Sequence, residues 1–489
     1  MSTSMLLALD GEGPLHRQLY HALRQAILGG TLRPGARMPS TRAIAAETRV
    51  SRITAVIAYD QLIAEGYAEP RRGSGTYVAA ALALDGALRA RRQPSAPTPA
   101  RLSTYGRRIV ASTRGHPPSW APRRAALPYD FRYGRPAIGD FPHAMWRRLL
   151  ARRARRASFR ALDYGPPEGL PELRTALADY LRRSRALVCD ESQIVVVSGS
   201  QQALDLVARV LLDAGDLVLL EEPHYAGARR VFRGIGARLR ALPVDREGLD
   251  VGRLAAREER FRAAYVTPSH QFPLGVVMSV SRRLALLAWA TRTGAYVVED
   301  DYDSEYRYVG RPIESLQGLD RTGRVLYVGT FSKVLFPALR LGYLVLPRPL
   351  VDAFRTAKAL ADTGSATLEQ GALADFMREG HYERYLRRSR ARVGARRAAL
   401  LEAIATHFGD RAEVCGADAG LHVVLWLRDV RRERLAGVIE RAAATGVGVY
   451  PAAPYYLRPP PRAGLLLGYA SLDEAEIRRG IERLAQCTS

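Results

Sequence analysis

The hydrophobic positions near the start of the chain follow a helical period and then break. Between Pro14 and Gly30 the apolar residues recur three or four positions apart, at Leu15, Leu19, Leu23, Ile27 and Leu28. Ser40 and Ser51 each precede another short helical pattern, which their side chains are suited to cap. The third helix is expected to pack through Val56, Ile57, Tyr59, Leu62 and Ile63. Two strand-like runs around a glycine-rich turn follow, so this region predicts three helices and a β-hairpin.

A different pattern begins near residue 128, where apolar runs of strand length alternate with helical segments. The runs occupy residues 194–199, 217–223, 263–268, 295–301, 325–332 and 341–347. This alternation is typical of a mostly parallel sheet that is covered by helices on both faces. After Leu368, arginine-rich helical segments and two further apolar runs predict a smaller α+β subdomain at about residues 370–487.

These patterns together predict a multidomain protein. A winged helix-turn-helix, mostly helical with a β-wing, is expected over residues 12–80, and an α/β body over residues 128–487. Residues 81–127 are rich in Pro, Ser and Arg and have little periodicity, which is typical of a linker. The formal net charge is +24, and basicity per residue is highest in this linker. Because the excess elsewhere is diffuse, the total charge is only weak support for nucleic-acid binding.

The cysteine content indicates a reducing compartment. Cys189, Cys415 and Cys487 are far apart and form no C-x-x-C pair, which argues against a disulfide framework and against a zinc site. No metal is therefore expected. The chain has no apolar run of membrane-spanning length, and its first residues do not resemble a signal peptide. We expect a cytoplasmic protein that does not associate with membranes.

Lysine is very rare in this chain. Only two of its 73 basic residues are lysines, Lys333 and Lys358. A guanidinium cannot form a Schiff base at neutral pH, whereas a lysine amine can, so both positions are of chemical interest. Lys358 lies in an ordinary helical stretch, RTAKALADT, and is expected to be exposed to solvent.

The N-terminal segments 32–42, 50–67 and 71–78 resemble the GntR superfamily of bacterial regulators in sequence and in order. The resemblance implies binding to a double-stranded DNA operator and to the nucleoid. A recognition helix needs polar side chains in its first turn, and a wing needs cations at a flexible turn. The candidate DNA-binding residues are Ser40, Arg42, Ser51, Arg52, Thr54, Arg71, Arg72 and Gly73. The alternatives are that Arg42 and Arg52 are solvated surface residues, or that the domain binds protein.

The segment TFSKVLFPALRLGY (330–343) resembles the lysine motif of fold-type I aminotransferases. The resemblance implies that Lys333 forms a Schiff base with pyridoxal 5′-phosphate (PLP), whose phosphate would bind Thr330, Ser332 and Arg340. Upstream, VVEDDYD (297–303) ends a buried strand. Asp300 is the candidate partner of the pyridine nitrogen, with Asp301 as the alternative, and Tyr302 would donate to the phenolic oxygen.

Three further elements complete the expected cofactor site. The strand-to-helix turn SGSQQ offers backbone N–H groups to the phosphate at Gly199, Ser200 and Gln201. Tyr225 would stack on the cofactor ring, the alternative being a purely structural tyrosine. Tyr164, in DYGPPEG, resembles the tyrosine that fold-type I proteins lend to the phosphate of the neighbouring subunit.

The domain order and nearly the whole chain outside the linker resemble MocR/GabR-type regulators. Two departures from ordinary aminotransferases stand out. Phe272 occupies the place of an asparagine that touches the phenolic oxygen, for which His270 or Gln271 could substitute. The arginine expected to bind a substrate carboxylate is missing within residues 464–470, and Arg458 and Arg462 are the nearby candidates. Both departures put efficient transamination in doubt.

The leading hypothesis is a transcription regulator in which PLP on Lys333 senses a small amine or amino acid. The effector would bind two arrangements of the body unequally and so reposition the DNA readers. The family resemblance implies a head-to-tail homodimer. The alternatives are a vitamin B6 sensor that responds to PLP itself, and an active aminotransferase with a DNA-binding appendage. The effector, the operator and the sign of regulation stay open.

Overall fold

The computed structural model describes residues 9–82, 101–112, 127–155, 163–254, 260–310 and 314–488. Its internal contacts divide the chain into two units, Met1–Arg101 and Leu102–Ser489. Most of the predicted linker, at 83–100 and 113–126, lies outside the described residues. Among the residues that are described, no helix has both the length and the apolar composition needed to cross a membrane.

The N-terminal unit has the predicted three helices and hairpin. They are α1 (Leu15–Leu28), α2 (Thr41–Thr48), α3 (Arg52–Ala64), β1 (Ala68–Arg71) and β2 (Gly75–Val78). Ser40 caps α2 by accepting from the Ala43 N–H, and Ser51 caps α3 by accepting from the Thr54 N–H. Both capping predictions are confirmed.

The core of this unit differs from the expectation in one respect. The buried face of α3 consists of Ala55, Ala58, Tyr59 and Leu62, whereas Val56 and Ile57 are 37% and 44% exposed. Placing those two residues on the inner face was wrong. The small alanines let α3 pack closely on α1, and that packing rotates the branched residues outward.

The C-terminal unit is built on an eight-stranded sheet in the order β4-β11-β10-β9-β8-β5-β6-β7. Its strands are β4 (Ile194–Val197), β5 (Leu217–Glu222), β6 (Arg238–Asp245), β7 (Gly248–Leu249), β8 (Phe261–Val266), β9 (Tyr296–Asp301), β10 (Val325–Thr330) and β11 (Gly342–Val345). Strands β10, β9, β8, β5 and β6 are parallel neighbours. Strand β11 runs antiparallel to both β10 and β4, so β4 is parallel to β10.

Helices cover both faces of this sheet, as the apolar runs predict. Neighbouring residues on one strand enter different cores: Val196 packs in one cluster, while Val195 and Val197 pack in another, as the pleat of a strand requires. The helices are α5 (His143–Arg155), α6 (Pro171–Arg185), α7 (Ser200–Leu211), α8 (Ala226–Ile235), α9 (Val280–Thr293), α10 (Leu316–Leu319), α11 (Val351–Asp362), α12 (Thr367–Arg378) and α13 (His381–Phe408).

A smaller antiparallel sheet, in the order β12-β13-β16-β15, forms the predicted C-terminal subdomain. Its elements are β12 (Ala412–Cys415), β13 (His422–Arg431), β15 (Tyr450–Pro451) and β16 (Arg462–Gly468), with helices α14 (Leu435–Ala444) and α15 (Glu474–Thr488). Strand β3 (Tyr129–Asp130) pairs with β14 (Val447–Gly448). The start of the body is therefore tied to its end.

A short helix lies inside the region predicted as a linker. Helix α4 (Thr104–Ser112) packs on α8 within the C-terminal unit. Its Arg108 guanidinium donates to the Ile235 carbonyl (3.1 Å) at the C-terminal end of α8. The Ile109 side chain lies against Gly234, where an added Cβ would be 3.0 Å from it. The linker is thus anchored to the body by at least one helix.

Candidate functional site

The carboxyl ends of the parallel strands bring the predicted cofactor residues to one edge of the sheet. The segments that follow β4, β5, β8, β9 and β10 all leave this edge, which is where ligands bind in open α/β sheets. Lys333 follows β10, Asp300 is the last residue but one of β9, and Gly199 follows β4.

Lys333 is held in a buried position with its amine close to acids. Its Nζ donates to the Gly134 carbonyl oxygen at 3.0 Å. Burial lowers the pKa of the Lys333 amine, and the carboxylates of Asp303 and Asp300 oppose that shift. A lysine with a lowered pKa is more often neutral at physiological pH, which is the form that attacks a carbonyl carbon.

Asp300 and Asp301 are adjacent on β9 but have different surroundings. Asp301 Oδ2 accepts from Arg185 Nε (2.8 Å) and from the Tyr327 hydroxyl, so it belongs to a buried ion pair. Asp300 Oδ2 accepts from the Tyr265 hydroxyl at 2.7 Å, while its Oδ1 is buried and has no partner among the described residues. This orphaned oxygen fits a cofactor's protonated ring nitrogen, and it favours Asp300 over Asp301.

Burial raises the pKa of the Asp300 carboxyl to about 7, and the Tyr265 hydrogen bond opposes that shift. A buried carboxylate with an unsatisfied oxygen is costly. A pyridinium nitrogen placed against Oδ1 would supply a second cation, besides Lys333, and the missing donor. The residues present at this end therefore fit the ring of PLP.

The two candidates for replacing the missing asparagine are resolved by their contacts. Gln271 Nε2 donates to the carbonyl oxygens of Pro223 (2.7 Å) and Phe272 (2.8 Å), so its amide is already engaged. His270 Nδ1 lies 3.0 Å from the Tyr302 hydroxyl. His270, and not Gln271, is therefore connected to the side chain expected to reach the phenolic oxygen.

The expected phosphate end combines a free helix N-terminus with an arginine. Gly199 has a φ of 91° and precedes α7, whose first turn lacks a side-chain cap. The Arg340 guanidinium donates to the Ser198 carbonyl and lies so close that a Cβ at Gly199 would be 3.3 Å from it. Ser200 and Gln201 begin α7, and their N–H groups face this end.

The remaining predicted cofactor residues are placed as follows. Thr330 is buried at the end of β10, and its Oγ1 accepts from the Ser332 N–H at 3.2 Å. The Tyr225 ring precedes α8 and packs edge-on against Phe272, with 5.9 Å between ring centroids. Tyr164 is 86% exposed, so this chain does not use it in its own core. A role at a neighbouring subunit stays a prediction.

The two arginines proposed for an effector carboxylate differ in availability. Arg462 donates to Glu413 Oε2 at 2.6 Å and lies over the Trp426 ring, so its charge is already paired. Arg458 is exposed, and its backbone N–H donates to Glu222 Oε1 at 3.0 Å. Of the two, Arg458 is the one whose side chain is available.

The expectation that Lys358 is exposed was wrong. Its side chain is 0% exposed and its Nζ donates to Asp362 Oδ1 at 2.6 Å and to the Ser365 hydroxyl at 3.1 Å. The segment RTAKALADT contains Asp362 one turn after Lys358, whereas Ser365 lies beyond the end of the helix. Both lysines of the chain are thus buried.

The predicted DNA-binding residues lie at the starts of α2 and α3 and at the hairpin of the N-terminal unit. Arg42, Arg52 and Arg72 are exposed and have no partner among the residues described. Arg71 donates to Glu69 and lies over the Tyr77 ring, 4.4 Å from its centroid. Ser51 caps α3, Thr54 lies in its first turn and Gly73 in the hairpin turn. Ile53 in the same turn of α3 is 73% exposed, which the sequence analysis did not anticipate.

Sequence reasoning also missed several partners in the body. Tyr265 holds Asp300, Arg185 neutralises Asp301, and Gly134 receives Lys333. Each lies more than 30 residues from the group that it contacts. The strand register that places Tyr265 opposite β9 could not be read from one sequence, although the position of Tyr265 on a strand could.

Known proteins with similar sequences cover both units. Residues 15–78 match the family "Bacterial regulatory proteins, gntR family", and residues 137–484 match "Aminotransferase class I and II". The chain is 41% identical to the probable rhizopine catabolism regulatory protein MocR of Rhizobium meliloti, over 98% of this chain and 95% of that protein. It is 31% identical to the pyridoxine biosynthesis transcriptional regulator PdxR of Corynebacterium glutamicum, over the full length of both.

A solved structure supports the same assignment for the body. LysN, the α-aminoadipate aminotransferase of Thermus thermophilus complexed with N-(5′-phosphopyridoxyl)-L-leucine, is 32% identical and superposes with a TM-score of 0.69. It covers 74% of this chain and 92% of its own. The sequence prediction of a winged helix followed by a fold-type I body is confirmed. The chain belongs to the MocR/GabR-type transcription regulators, in which a gntR-family DNA-binding domain is fused to a class I and II aminotransferase domain.

Proposed function

We propose that this regulator holds PLP on Lys333 and uses it to sense a small amine or amino acid. The observation that carries the proposal is the buried, unpartnered Asp300 Oδ1 on the strand next to the one that leads to Lys333. A carboxylate in that position has no structural use of its own, because it leaves a buried acceptor unsatisfied. It does have a use opposite a protonated ring nitrogen.

When bound, PLP supplies an aldehyde that condenses with primary amines and a ring that withdraws electrons. Different residues of the chain would bind different parts of PLP. Lys333 provides the attachment point, Asp300 the acid for the ring nitrogen, and Tyr302 the donor for the phenolic oxygen. The phosphate would lie between the start of α7, with Gly199, Ser200 and Gln201, and the side chains of Thr330, Ser332 and Arg340. Tyr225 would form the wall against the ring.

An effector amine would compete with Lys333 for the aldehyde, and the lysine side chain would then be free of the cofactor. The amine of Lys333 already has an acceptor in the Gly134 carbonyl, so its release needs no new pocket. The carboxylates of Asp300 and Asp303, which lie near the Lys333 amine, would then interact with a different arrangement of positive charge. A ligand alters an equilibrium only through such differences in interaction between two states.

Helix α8 offers a path from the cofactor to the linker. The residue before its first turn is Tyr225, and the carbonyl of its last residue, Ile235, accepts a hydrogen bond from Arg108 of α4. A shift of the Tyr225 ring would move a rigid helix whose other end bears on the linker segment. The movement of α8 would in this way alter DNA binding by the N-terminal unit.

Two linked DNA-binding domains would bind an operator much more tightly than one domain. We propose a head-to-tail homodimer, in which the exposed Tyr164 of each chain reaches the phosphate of the other. A cytoplasmic location and the domain limits 12–80, 81–127 and 128–487 are part of the same proposal. Sustained transamination is not.

The test is to add PLP to the purified protein, reduce it with borohydride and map the peptides by mass spectrometry. We expect one phosphopyridoxyl group, on Lys333. Operator binding is then measured with PLP alone and with PLP plus a panel of amines and amino acids. A protein that carries no such group, or carries it only on Lys358, contradicts the proposal.

A second candidate is a vitamin B6 sensor, which is favoured by the full-length similarity to a pyridoxine biosynthesis regulator. The same binding measurements separate the two. If PLP alone changes operator affinity and no amine adds to the change, the B6 sensor is correct. If the change needs the amine, the effector-sensing function is.

A further inference from the structure

Tyr302, His270 and Asp303 form a buried hydrogen-bonded chain near Lys333. His270 Nδ1 lies 3.0 Å from the Tyr302 hydroxyl and 3.1 Å from each carboxylate oxygen of Asp303. The side chains of His270 and Asp303 are each 1% exposed, so bulk water does not compete for these contacts. Two groups therefore share a single ring nitrogen.

The chemistry of that nitrogen decides where the tyrosine proton can go. An imidazole nitrogen makes one hydrogen bond in the plane of its ring, as a donor or as an acceptor. An ionised carboxylate only accepts, so pairing with ionised Asp303 keeps a proton on Nδ1. With Nδ1 protonated, the Tyr302 oxygen can accept from the ring but cannot donate to it. Its own hydroxyl hydrogen stays available to an acceptor on the other side.

We propose that Asp303 and His270 are positioning residues that keep the hydroxyl hydrogen of Tyr302 available for the phenolic oxygen of the cofactor. The inference rests on the proposed function, since it requires PLP on Lys333. It explains how the site works without the asparagine, whose place Phe272 takes. His270 acts through Tyr302 and does not itself touch the cofactor.

The same cluster could instead bind a metal ion, because His270, Asp303 and His422 have ligand atoms within 4.8 Å of one another. Their hydrogen bonds argue against it. His270 Nδ1 is already paired with both carboxylate oxygens of Asp303, and His422 Nε2 donates to the Pro273 carbonyl at 3.1 Å, which leaves only Nδ1 of His422 as a ligand atom. A Cβ at Gly420 would lie 2.4 Å from His270 Nδ1 and 2.6 Å from Asp303 Oδ2, so backbone already occupies the space beside this pair.

The test uses the full-length protein loaded with PLP and follows the pH midpoint at which its visible absorption band titrates. A donor to the phenolic oxygen stabilises the anionic form of that oxygen. Tyr302→Phe removes the donor, and we expect the midpoint to rise by about one to two pH units. Asp303→Ala frees Nδ1 to take the tyrosine proton, so it should raise the midpoint in the same way.

The sign of the Asp303→Ala shift is decisive. If Asp303 were only a nearby negative charge, its removal would lower the midpoint, because an anion favours the protonated form of the lysine–cofactor linkage. A fall or an unchanged midpoint overturns the inference. Glu305→Gln is the matched control: it removes another carboxyl of the same segment, whose pKa burial raises to about 7, without touching His270. It should not raise the midpoint.

The cofactor-free protein gives a second readout that does not need the aspartate variant to fold. Nitrogen NMR of histidine-labelled protein reports which ring nitrogen of His270 is protonated, and His270→Phe identifies its signal. Protonation at Nδ1 supports the inference, and protonation at Nε2 alone overturns it. Metal analysis that finds a chelatable ion lost in His422→Phe would overturn it as well. If wild-type protein shows no visible band with PLP, it is the proposed function that fails.

Discussion

The two polar regions of this protein are built in opposite ways. In the N-terminal unit, the cations expected to meet DNA are exposed, and Arg42 and Arg52 have no partner among the described residues. In the C-terminal unit, the acid expected to meet the ring nitrogen of the cofactor is buried and is held by a residue far away in sequence, since Tyr265 donates to Asp300. The arginines of the N-terminal unit are solvated, whereas the acids of the C-terminal unit are held in place by protein contacts before a ligand binds.

The difference has consequences for substitutions. An exposed arginine without a partner contributes little to folding, so its replacement should change DNA binding alone. A buried acid is part of the packing, so its replacement should change stability and ligand binding together unless one of its atoms is unpartnered.

The largest effect is expected from Lys333→Ala. Because this amine is the proposed attachment point, the visible absorption band of bound PLP should be lost completely while the protein stays folded. Lys358→Met is the matched control, since it is the other buried lysine of the chain. It should keep the band and lose about 1–3 kcal/mol of stability, because the Asp362 carboxylate loses its charged donor. Absorbance spectra and urea unfolding measure both. A band that survives in Lys333→Ala refutes the assignment.

The adjacent acids on β9 should respond in opposite ways. Asp301→Asn breaks a buried ion pair with Arg185, whose side chain is 7% exposed, and should lower the free energy of unfolding by about 3–5 kcal/mol. Asp300→Asn removes a buried carboxyl that has one unpartnered oxygen, so the cofactor-free protein should lose little stability or gain some. Its affinity for PLP should fall about 10- to 100-fold, the loss of one charge-assisted hydrogen bond.

Urea unfolding and fluorescence titration with PLP distinguish these outcomes. If Asp301→Asn bound PLP poorly while Asp300→Asn bound it normally, the roles of the two aspartates would be reversed. Asp300 would then be the structural acid of β9, and Asp301 would be the acid that binds the ligand.

The sequence predicted the local features of the structure, but not the contacts between residues that are far apart in the chain. The helix caps at Ser40 and Ser51, the hairpin and the apolar runs of strand length are local patterns, and the structure confirms the elements that they predict. The choice between Asp300 and Asp301 could not be made, because it depends on Arg185, which lies 116 residues away from Asp301. The burial of Lys358 was missed although Asp362, one acceptor of its amine, lies only four residues away on the same helix.

The rotation of α3 shows the limit of periodicity itself. Both Ala58 and Ile57 fit a helical period of apolar residues, and hydrophobicity favours the larger side chain as the core residue. The structure buries Ala58 and exposes Ile57, because close approach between helices selects small residues. A single sequence does not give the distance between α3 and α1, the helix on which it packs.

In the N-terminal unit, Arg52→Ala should weaken operator binding about 10-fold, which is within the range for losing one base or phosphate contact. PLP binding and the unfolding midpoint should not change, because the side chain has no partner to lose. Arg71→Ala is the control, since Arg71 already pairs with Glu69 and stacks on Tyr77; a smaller loss is expected. Fluorescence anisotropy with operator DNA at several salt concentrations measures both. Equal losses for the two arginines would mean that exposure and pairing do not predict DNA contact here.

The smallest effect concerns pH and compares the same two regions. Burial raises the pKa of Asp300 to about 7, whereas an aspartate in the unfolded chain ionises near 3.9. Between these values the folded, cofactor-free protein binds more protons than the unfolded chain, so this residue's contribution to stability is lost as pH rises from about 4 to 7. In the N-terminal unit the Tyr20 hydroxyl lowers the pKa of the exposed Glu65, and its contribution has the opposite sign, since it is lost as pH falls.

Asp300→Asn should therefore reduce the drop in melting temperature between pH 5.5 and pH 8 by about 2–4 °C, whereas Glu65→Gln should not reduce it. Differential scanning calorimetry of the cofactor-free proteins measures the drop. PLP should also reduce it in the wild type, because a cation against Oδ1 removes the reason for the raised pKa. An Asp300→Asn protein with the same pH dependence as the wild type would show that Oδ1 is not an isolated buried acceptor. The contrast between the free charges of the DNA-reading unit and the pre-positioned acids of the cofactor site would then lose its clearest physical basis.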